Sequence, residues 1–325
     1  MSTGKLIRIA GSLSLVTWLA WQVNFSALAS LFHAADLSLL FIAALLAPVF
    51  VILLGLRLYL LLRDSGISLP FITVWRITWA GQFFNLFLPG STGGDVFKSI
   101  ELCRFLPHAR ARAVTVILAD RIFALMSLLG LALIGFHATS LPLQRLLGSG
   151  FAISRSALIV AVAGLLLLSI FSLLAMRWPR LIVWRIHVVS SLRQIAGYFS
   201  GNRTTWVQIS AAVTVQLLNF TAIYFVARAL GIGLTLIQVI GFMPVLMLVL
   251  LLPVTVNGHG LREFILIAYF QWVGVGGPAG ANPRELAIAF SLGIIGLDLW
   301  SALPGGVWWF LHNRTAPALA GRTTY

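Results

Sequence analysis

Apolar residues in this chain run for about 20 positions at a time, and polar residues collect between the runs. Full-length runs fall at about 9–31, 38–62, 113–137, 156–176, 206–228 and 286–310. At 1.5 Å per residue, each is long enough to cross a hydrocarbon core of ~30 Å as an α-helix. The run LIVAVAGLLLLSIFSLLA (158–175) shows none of the period-two alternation of an outer-membrane strand. In lipid only helices or closed barrels satisfy their own backbone, so the pattern predicts helices. Two further apolar regions, 73–105 and 238–272, are each cut by a proline–glycine turn. Their arms (74–88 and 94–106; 238–252 and 259–272) would reach only roughly 20–22 Å. Each pair is predicted to form a re-entrant helical hairpin with its tip inside the membrane.

Composition agrees with this class. The chain is 60% hydrophobic and 9% charged, against about 25% charged in a soluble domain. The net charge of +14 does not indicate nucleic acid, because the basic residues stand singly at the ends of apolar runs, as orientation signals do. The single cysteine, Cys103, excludes an internal disulfide and a cysteine-based metal site. Lys5, Arg8, an apolar run and Ala27-Leu28-Ala29 before Ser30 resemble a secretory signal peptide. We read this segment as an uncleaved first span.

Charge placement orients the chain. With the N-terminus inside, Lys5, Arg8, Arg63, Arg104, Arg110, Arg112, Arg177, Arg180, Arg185, Arg193, Arg203, Arg314 and Arg322 fall on the inner side. Only Arg145, Arg155, Arg228 and Arg284 fall outside. That bias predicts an inner (plasma) membrane protein with cytoplasmic N- and C-termini. The first hairpin then enters from the cytoplasm and the second from outside. Arm length alone separates a re-entrant hairpin from two short full spans. Segment 177–204 carries Leu181, Trp184, Val188, Leu192, Ile195 and Phe199 at helical spacing among polar residues. It reads either as an interfacial helix on the anionic leaflet or as a plain connector.

The two broken turns resemble each other. LPGSTGGD (88–95) aligns with LPVTVNGH (252–259), matching Pro89 with Pro253, Ser91 with Thr255 and Gly94 with Gly258 at one separation (253−89, 255−91 and 258−94 are all 164). Two spans, a hairpin and a third span per half make three crossings, which inverts the second half. The expected architecture is an all-α polytopic membrane protein of about six full spans plus two re-entrant hairpins. It would form one membrane domain built as an inverted repeat, 1–150 and 151–325. Broken helices meeting near the midplane are a transporter theme.

The combination GQFFNLFLPGSTGGDVFKS, ADRIFALMSLLGL and LPVTVNGHGLREFILIAYF resembles the lysylphosphatidylglycerol synthase transmembrane (flippase-like) family. It is thereby related to the flippase half of the multiple peptide resistance factor. The family's arginine near the end of the second span is met by Arg57. Asp120-Arg121 stands where a glutamate–arginine pair is usual, and His259 departs from a small or apolar position, so substrate identity is not carried over. The soluble aminoacyl-transferase domain of the large members has no counterpart here. The resemblance therefore implies lipid translocation rather than lipid synthesis.

The turns themselves suggest anion chemistry. Ser91 or Thr92 can cap the helix that restarts after GSTGGD (90–95), with Gly93 and Gly94 giving backbone access, and Thr255 or Asn257 can cap the one after the second turn. Gly258 and Gly260 would let backbone N–H groups approach a ligand. A helix N-terminus contributes only about 0.3–2 kcal/mol to anion binding. A bare charge at the bilayer centre costs at least ~2.5–3.5 kcal/mol. Arginine is therefore expected beside the dipoles, where it can bind phosphate through two parallel hydrogen bonds.

The candidate substrate-binding set is Arg57, Asn85, Ser91, Thr92, Gly93, Gly94, Asp95, Lys98, Arg121, Thr255, Asn257, Gly258, Gly260, Arg262 and Glu263. Asp95, Asp120, Glu263 and Asp298 are the candidates for proton coupling. Blander readings stand beside these. Arg57 could snorkel to the inner surface, Arg121 could pair with Asp120 or Glu101, and Arg262 and Glu263 could serve the outer interface. Asp95 could be a helix cap, and Gln82 and Asn85 could bond across helices.

There is no GxxxxGK[ST] motif, and HGLRE is not HExxH. With no metal or cofactor site in view, we expect no enzyme. The leading expectation is a flippase for an anionic phospholipid or a polyprenyl-phosphate-linked lipid, working by alternating access. The alternative is a non-transporting lipid-binding subunit that scaffolds a synthase partner. A third reading, a carrier for a small hydrophilic solute, predicts a water-lined cavity closed laterally. Membrane lipids are the expected partners, with a homo-oligomer also open and no nucleic acid.

Overall fold

The computed structural model describes residues 25–87, 93–138, 203–251, 260–278 and 281–313. All regular structure among them is α-helix: α1 (Phe25–His33), α2 (Leu37–Asp64), α3 (Phe71–Phe87), α4 (Gly93–Phe105), α5 (Arg110–Ala138), α6 (Arg203–Ala229), α7 (Leu236–Leu250), α8 (Leu261–Val273) and α9 (Pro283–Asn313). The predicted spans 38–62, 113–137, 206–228 and 286–310 fall on α2, α5, α6 and α9. Among the described residues these four are long and apolar enough to cross a membrane. The four predicted arms fall on α3, α4, α7 and α8. At 17, 13, 15 and 13 residues, these helices span roughly 20–26 Å, short of the hydrocarbon core. Residues 9–24 of the predicted first span, the span 156–176 and residues 177–202 of the interfacial segment lie outside the described residues. So do both turns, 88–92 and 252–259.

Helix α2 shows how a lipid-facing span is written. Ahead of it Asp36 accepts hydrogen bonds from the Ser38 N–H (2.9 Å) and the Leu39 N–H (3.3 Å), satisfying donors that have no intrahelical partner. Phe41, Leu45, Val49, Ile52 and Leu56 recur every three or four residues and are exposed. Ala43, Ala47, Val51 and Gly55 alternate with them on the inward face. Small residues inside and large ones outside suit a membrane helix, since lipid solvates large apolar side chains as well as protein does. The helix ends where Gly66 adopts a φ of 73°.

Packing then arranges the elements. Helix α2 lies along α6, α5 along α7, and α9 along α3. Helix α4 is held between α3 and α5, so the first pair of short arms packs on itself. The second pair differs. Helix α8 lies on α9 and meets α7 only slightly, at the stack of Tyr269 on Phe242 (3.7 Å between ring centres).

Close crossings need missing side chains. A Cβ on Gly135 of α5 would strike the backbone of Gly241 of α7, and one on Gly305 of α9 would strike the backbone of Trp79 of α3. At that second crossing the Trp79 indole donates to the Ser301 carbonyl (2.7 Å), beside Pro304, which interrupts the α9 ladder. Two apolar clusters fill the interior. One joins Leu58, Leu62, Leu102, Val116, Phe123 and Ala212, and the other centres on Phe220, Leu266, Phe270 and Phe290.

Candidate functional site

Charged groups converge where α2, α4 and α5 meet, beside the first apolar cluster. Arg57 of α2 and Asp120 of α5 form a two-pronged ion pair. The guanidinium Nε donates to Oδ1 (2.7 Å) and Nη2 donates to Oδ2 (2.9 Å). Both side chains are below 10% exposed. Arg57 therefore does not snorkel to the surface.

Asp95 of α4 is the second anion. Its Oδ1 is bonded to Lys98 Nζ at 2.7 Å, one helical turn away. Its Oδ2 faces Arg121 Nη1 at 3.4 Å, outside hydrogen-bond geometry. Arg121 thus pairs with Asp95 rather than with Asp120. Neighbouring residues on a helix point about 100° apart, so Asp120 can face α2 while Arg121 faces α4. Asp95 lies inside the first turn of α4 and forms ion pairs there. Glu101 pairs with Arg104 (2.6 Å), whose side chain is 62% exposed.

Packing between α3 and α4 positions this cluster. Asn85 accepts the Gly94 N–H on its Oδ1 (2.6 Å) and donates from Nδ2 to Gln82 (3.2 Å), so it stitches α3 to α4. A Cβ on Gly94 would collide with the Gly81 carbonyl, and one on Gly81 would press on the Lys98 stem. The Gly81–Gly94 contact therefore sets the depth at which Lys98 lies. Phe84 stacks on Phe97 (4.2 Å), and Trp309 of α9 meets both rings edge-on (5.1 and 5.6 Å).

The second half carries a smaller group. Glu263 accepts the Gly260 N–H (2.6 Å) and the Ser291 hydroxyl, and Arg262 lies 3.4 Å from it. Gly260 takes a φ of 84°, a conformation only glycine adopts without strain. Asp298, midway along α9, is exposed, and Arg262 is near enough to attract it. Of the predicted residues, Arg57, Asp95, Lys98, Asp120 and Arg121 come together, with Asn85, Gly93 and Gly94 beside them. Gly260, Arg262, Glu263 and Asp298 form the second neighbourhood. Ser91, Thr92, Thr255, Asn257 and Gly258 lie outside the described residues.

One buried polar group escaped the sequence reading. Gln208 of α6 is fully buried, and both its amide atoms lack a hydrogen-bond partner among the described residues. It lies one turn before Ala212 of the first apolar cluster. A glutamine inside the predicted span 206–228 was the available signal. No group of three or more histidine, cysteine, aspartate or glutamate side chains could hold a metal ion among the described residues.

Counting charge shows what the first cluster can do. Arg57, Lys98 and Arg121 face Asp95 and Asp120, three cations against two carboxylates. Adding the Glu101–Arg104 pair leaves the excess at one. The chain has eight acidic residues, and all lie among the described ones. Asp36 caps α2, Asp64 lies exposed at its end, Glu285 accepts the Asn282 N–H, and Glu263 and Asp298 sit with Arg262. Glu101 is itself buried, so the buried charges balance and the excess falls on the exposed Arg104. What the cluster offers an anion is Lys98 and Arg121 converging on one carboxylate.

Spans faced with lipid-exposed apolar stripes, close glycine crossings and a buried ion cluster define a polytopic helical membrane protein. The model for the lysylphosphatidylglycerol synthase TM region matches residues 5–306. The chain belongs to that family, as the motifs around the two turns implied, and membership carries a membrane lipid-related function. No curated protein and no solved structure matches the chain.

Proposed function

We propose that this protein is a flippase for an anionic phospholipid or a polyprenyl-phosphate-linked lipid in the inner membrane. Its termini are cytoplasmic, and it carries no enzymatic step at the headgroup. One observation carries the reading: Lys98 and Arg121 converge on the single carboxylate of Asp95 beside the locked Arg57–Asp120 pair. A lipid phosphate can meet these two cations while its acyl chains stay in the bilayer. Lys98 and Arg121 are the cations that meet it. Arg57, locked by Asp120, holds the frame. Family membership supports a lipid rather than a soluble solute.

The packing supports an inverted repeat. Exchanging α2, α3, α4 and α5 for α6, α7, α8 and α9 returns the same set of contacts. The α5–α7 pair becomes α9–α3, α4–α5 becomes α8–α9, α5–α6 becomes α9–α2, and α2–α6 maps onto itself. The glycine-bound crossings Gly135–Gly241 and Gly305–Trp79 are partners under the same exchange. Two halves related in this way can rock against each other around a fixed site, which is alternating access.

A headgroup-flip assay in proteoliposomes tests the reading. A hydrogen bond to a charged group is worth about 1.5–3 kcal/mol. Lys98→Gln combined with Arg121→Gln is thus expected to slow flipping at least ~tenfold. Flipping at the wild-type rate in that double variant excludes this site. Tight lipid binding with no translocation by the wild-type protein favours the scaffolding role instead.

A further inference from the structure

The two carboxylates of the cluster are held very differently. Asp120 gives both oxygens to Arg57 in a two-pronged pair at 2.7 and 2.9 Å. Asp95 has one close bond, to Lys98, and a looser 3.4 Å contact with Arg121, and its Oδ2 accepts no hydrogen bond among the described residues. The carboxylate that faces the two cations proposed to meet phosphate is thus the weakly held one. It presents two oxygens to a lysine and an arginine, as a phosphate would. It also sits on α4 three residues into the helix, tethered to the cations it neutralises.

We propose that Asp95 is a tethered stand-in for the phosphate, occupying Lys98 and Arg121 when no lipid is bound and being displaced when one arrives. This rests on the phosphate reading of the site. Without a stand-in, an empty site would leave two like charges facing each other in an apolar interior between transport cycles, which is unfavourable. With one, the empty protein stays neutralised there and the lipid is released by carboxylate return. Affinity is lowered in proportion, because a site open for only a fraction of the time binds more weakly by that fraction. A site closed by Asp95 nine-tenths of the time would bind about tenfold more weakly than an open one.

The test is equilibrium binding to the full-length protein in a neutral maltoside detergent, with dioctanoyl phosphatidic acid and, separately, inorganic phosphate as probes. Asp95→Asn is expected to tighten phosphatidic acid binding about tenfold and to slow its dissociation. Lys98→Gln and Arg121→Gln alone are expected to weaken it. The double variant Asp95→Asn/Lys98→Gln restores the original net charge. It is expected to fold as the wild type does and to bind more tightly than Lys98→Gln alone, so the comparison survives if Asp95→Asn proves unstable.

Unchanged or weaker binding in both Asp95 variants, with Lys98→Gln and Arg121→Gln still weakened, overturns the stand-in and leaves the phosphate site intact. Wild-type binding in Lys98→Gln and Arg121→Gln overturns both. Equal tightening for inorganic phosphate supports the stand-in but makes the occupant a soluble anion, overturning the lipid reading.

Discussion

At the scale of single residues, Arg57 and Asp120 show what burial does to a charge pair. Each has exchanged hydration for the other, so removing one leaves the partner stranded. Arg57→Met or Asp120→Leu alone is expected to cost about 3–5 kcal/mol, and the combined change to recover most of that loss. Thermal unfolding in detergent distinguishes these outcomes, and additive losses would contradict an isolated pair. Asp36 gives a prediction in pH. The Ser38 hydroxyl, then the Leu39 and Ser38 N–H groups, hold its carboxyl below the usual aspartate range. The cap's contribution is therefore fully present above that range and is lost as pH falls through the lowered value. The unfolding temperature of wild type should approach that of Asp36→Ala only on such acidification, and the gap should hold constant around neutrality.

The sequence made Arg57, Asp95, Lys98, Asp120 and Arg121 candidates, but not their partners. Arg57 and Asp120 are 63 residues apart, and nothing local announces a pair at that distance. Arg121 beside Asp120 looked like glue within one helix. The 100° turn per residue argues against it from the sequence alone. Gln208 was passed over because a single amide in an apolar run carries no partner information.

At the scale of elements, periodicity and length carried most of the fold. The four long helices appear within a few residues of where apolar runs placed them, and both broken regions appear as pairs of short helices. How those short helices associate was not legible. The first pair is closed by a glycine contact and an asparagine that accepts across it, whereas α8 chose α9 over α7. Such choices depend on surface shape, which alternation of apolar and polar residues does not encode. Gly94→Ala should force α3 and α4 apart at the Gly81 carbonyl, and Gly305→Ala should do the same to α9 and α3 at Trp79. Both are expected to lower thermal stability by about 1–3 kcal/mol. Gly130→Ala and Gly296→Ala meet no atom within 4 Å. Having only helix propensity to gain, they should stabilise by up to about 1 kcal/mol. Equal behaviour of the two sets would mean that the close crossings are not strained by a methyl group.

At the scale of the whole molecule, the chain carries its own reporter of orientation. Cys103, the only cysteine, lies near the end of α4, with its thiol directed at the Arg110 carbonyl (3.7 Å). Under the proposed orientation this end of α4 faces the cytoplasm. A membrane-impermeant maleimide should leave Cys103 unlabelled in intact cells and label it after permeabilisation. Pro278 is exposed between α8 and α9, and the proposed topology puts it on the opposite face. Pro278→Cys in a Cys103→Ser background should label from outside. Labelling of both from one side would remove the odd number of crossings on which inversion depends.

The contact between α2 and α6 has a mechanical meaning under the proposed cycle. It is the pairing that the exchange of halves leaves unchanged. It is pinned at one end by the Asp36 N–H bonded to the Ala229 carbonyl (2.9 Å) and buttressed towards the other by Ala212 beside Leu58 and Leu62. A part that maps onto itself need not move when the halves swap roles. These two helices then serve as the axle of a seesaw. Staples fastening α2 to α6 should leave lipid traffic running, while staples fastening α5 to α7 should arrest it.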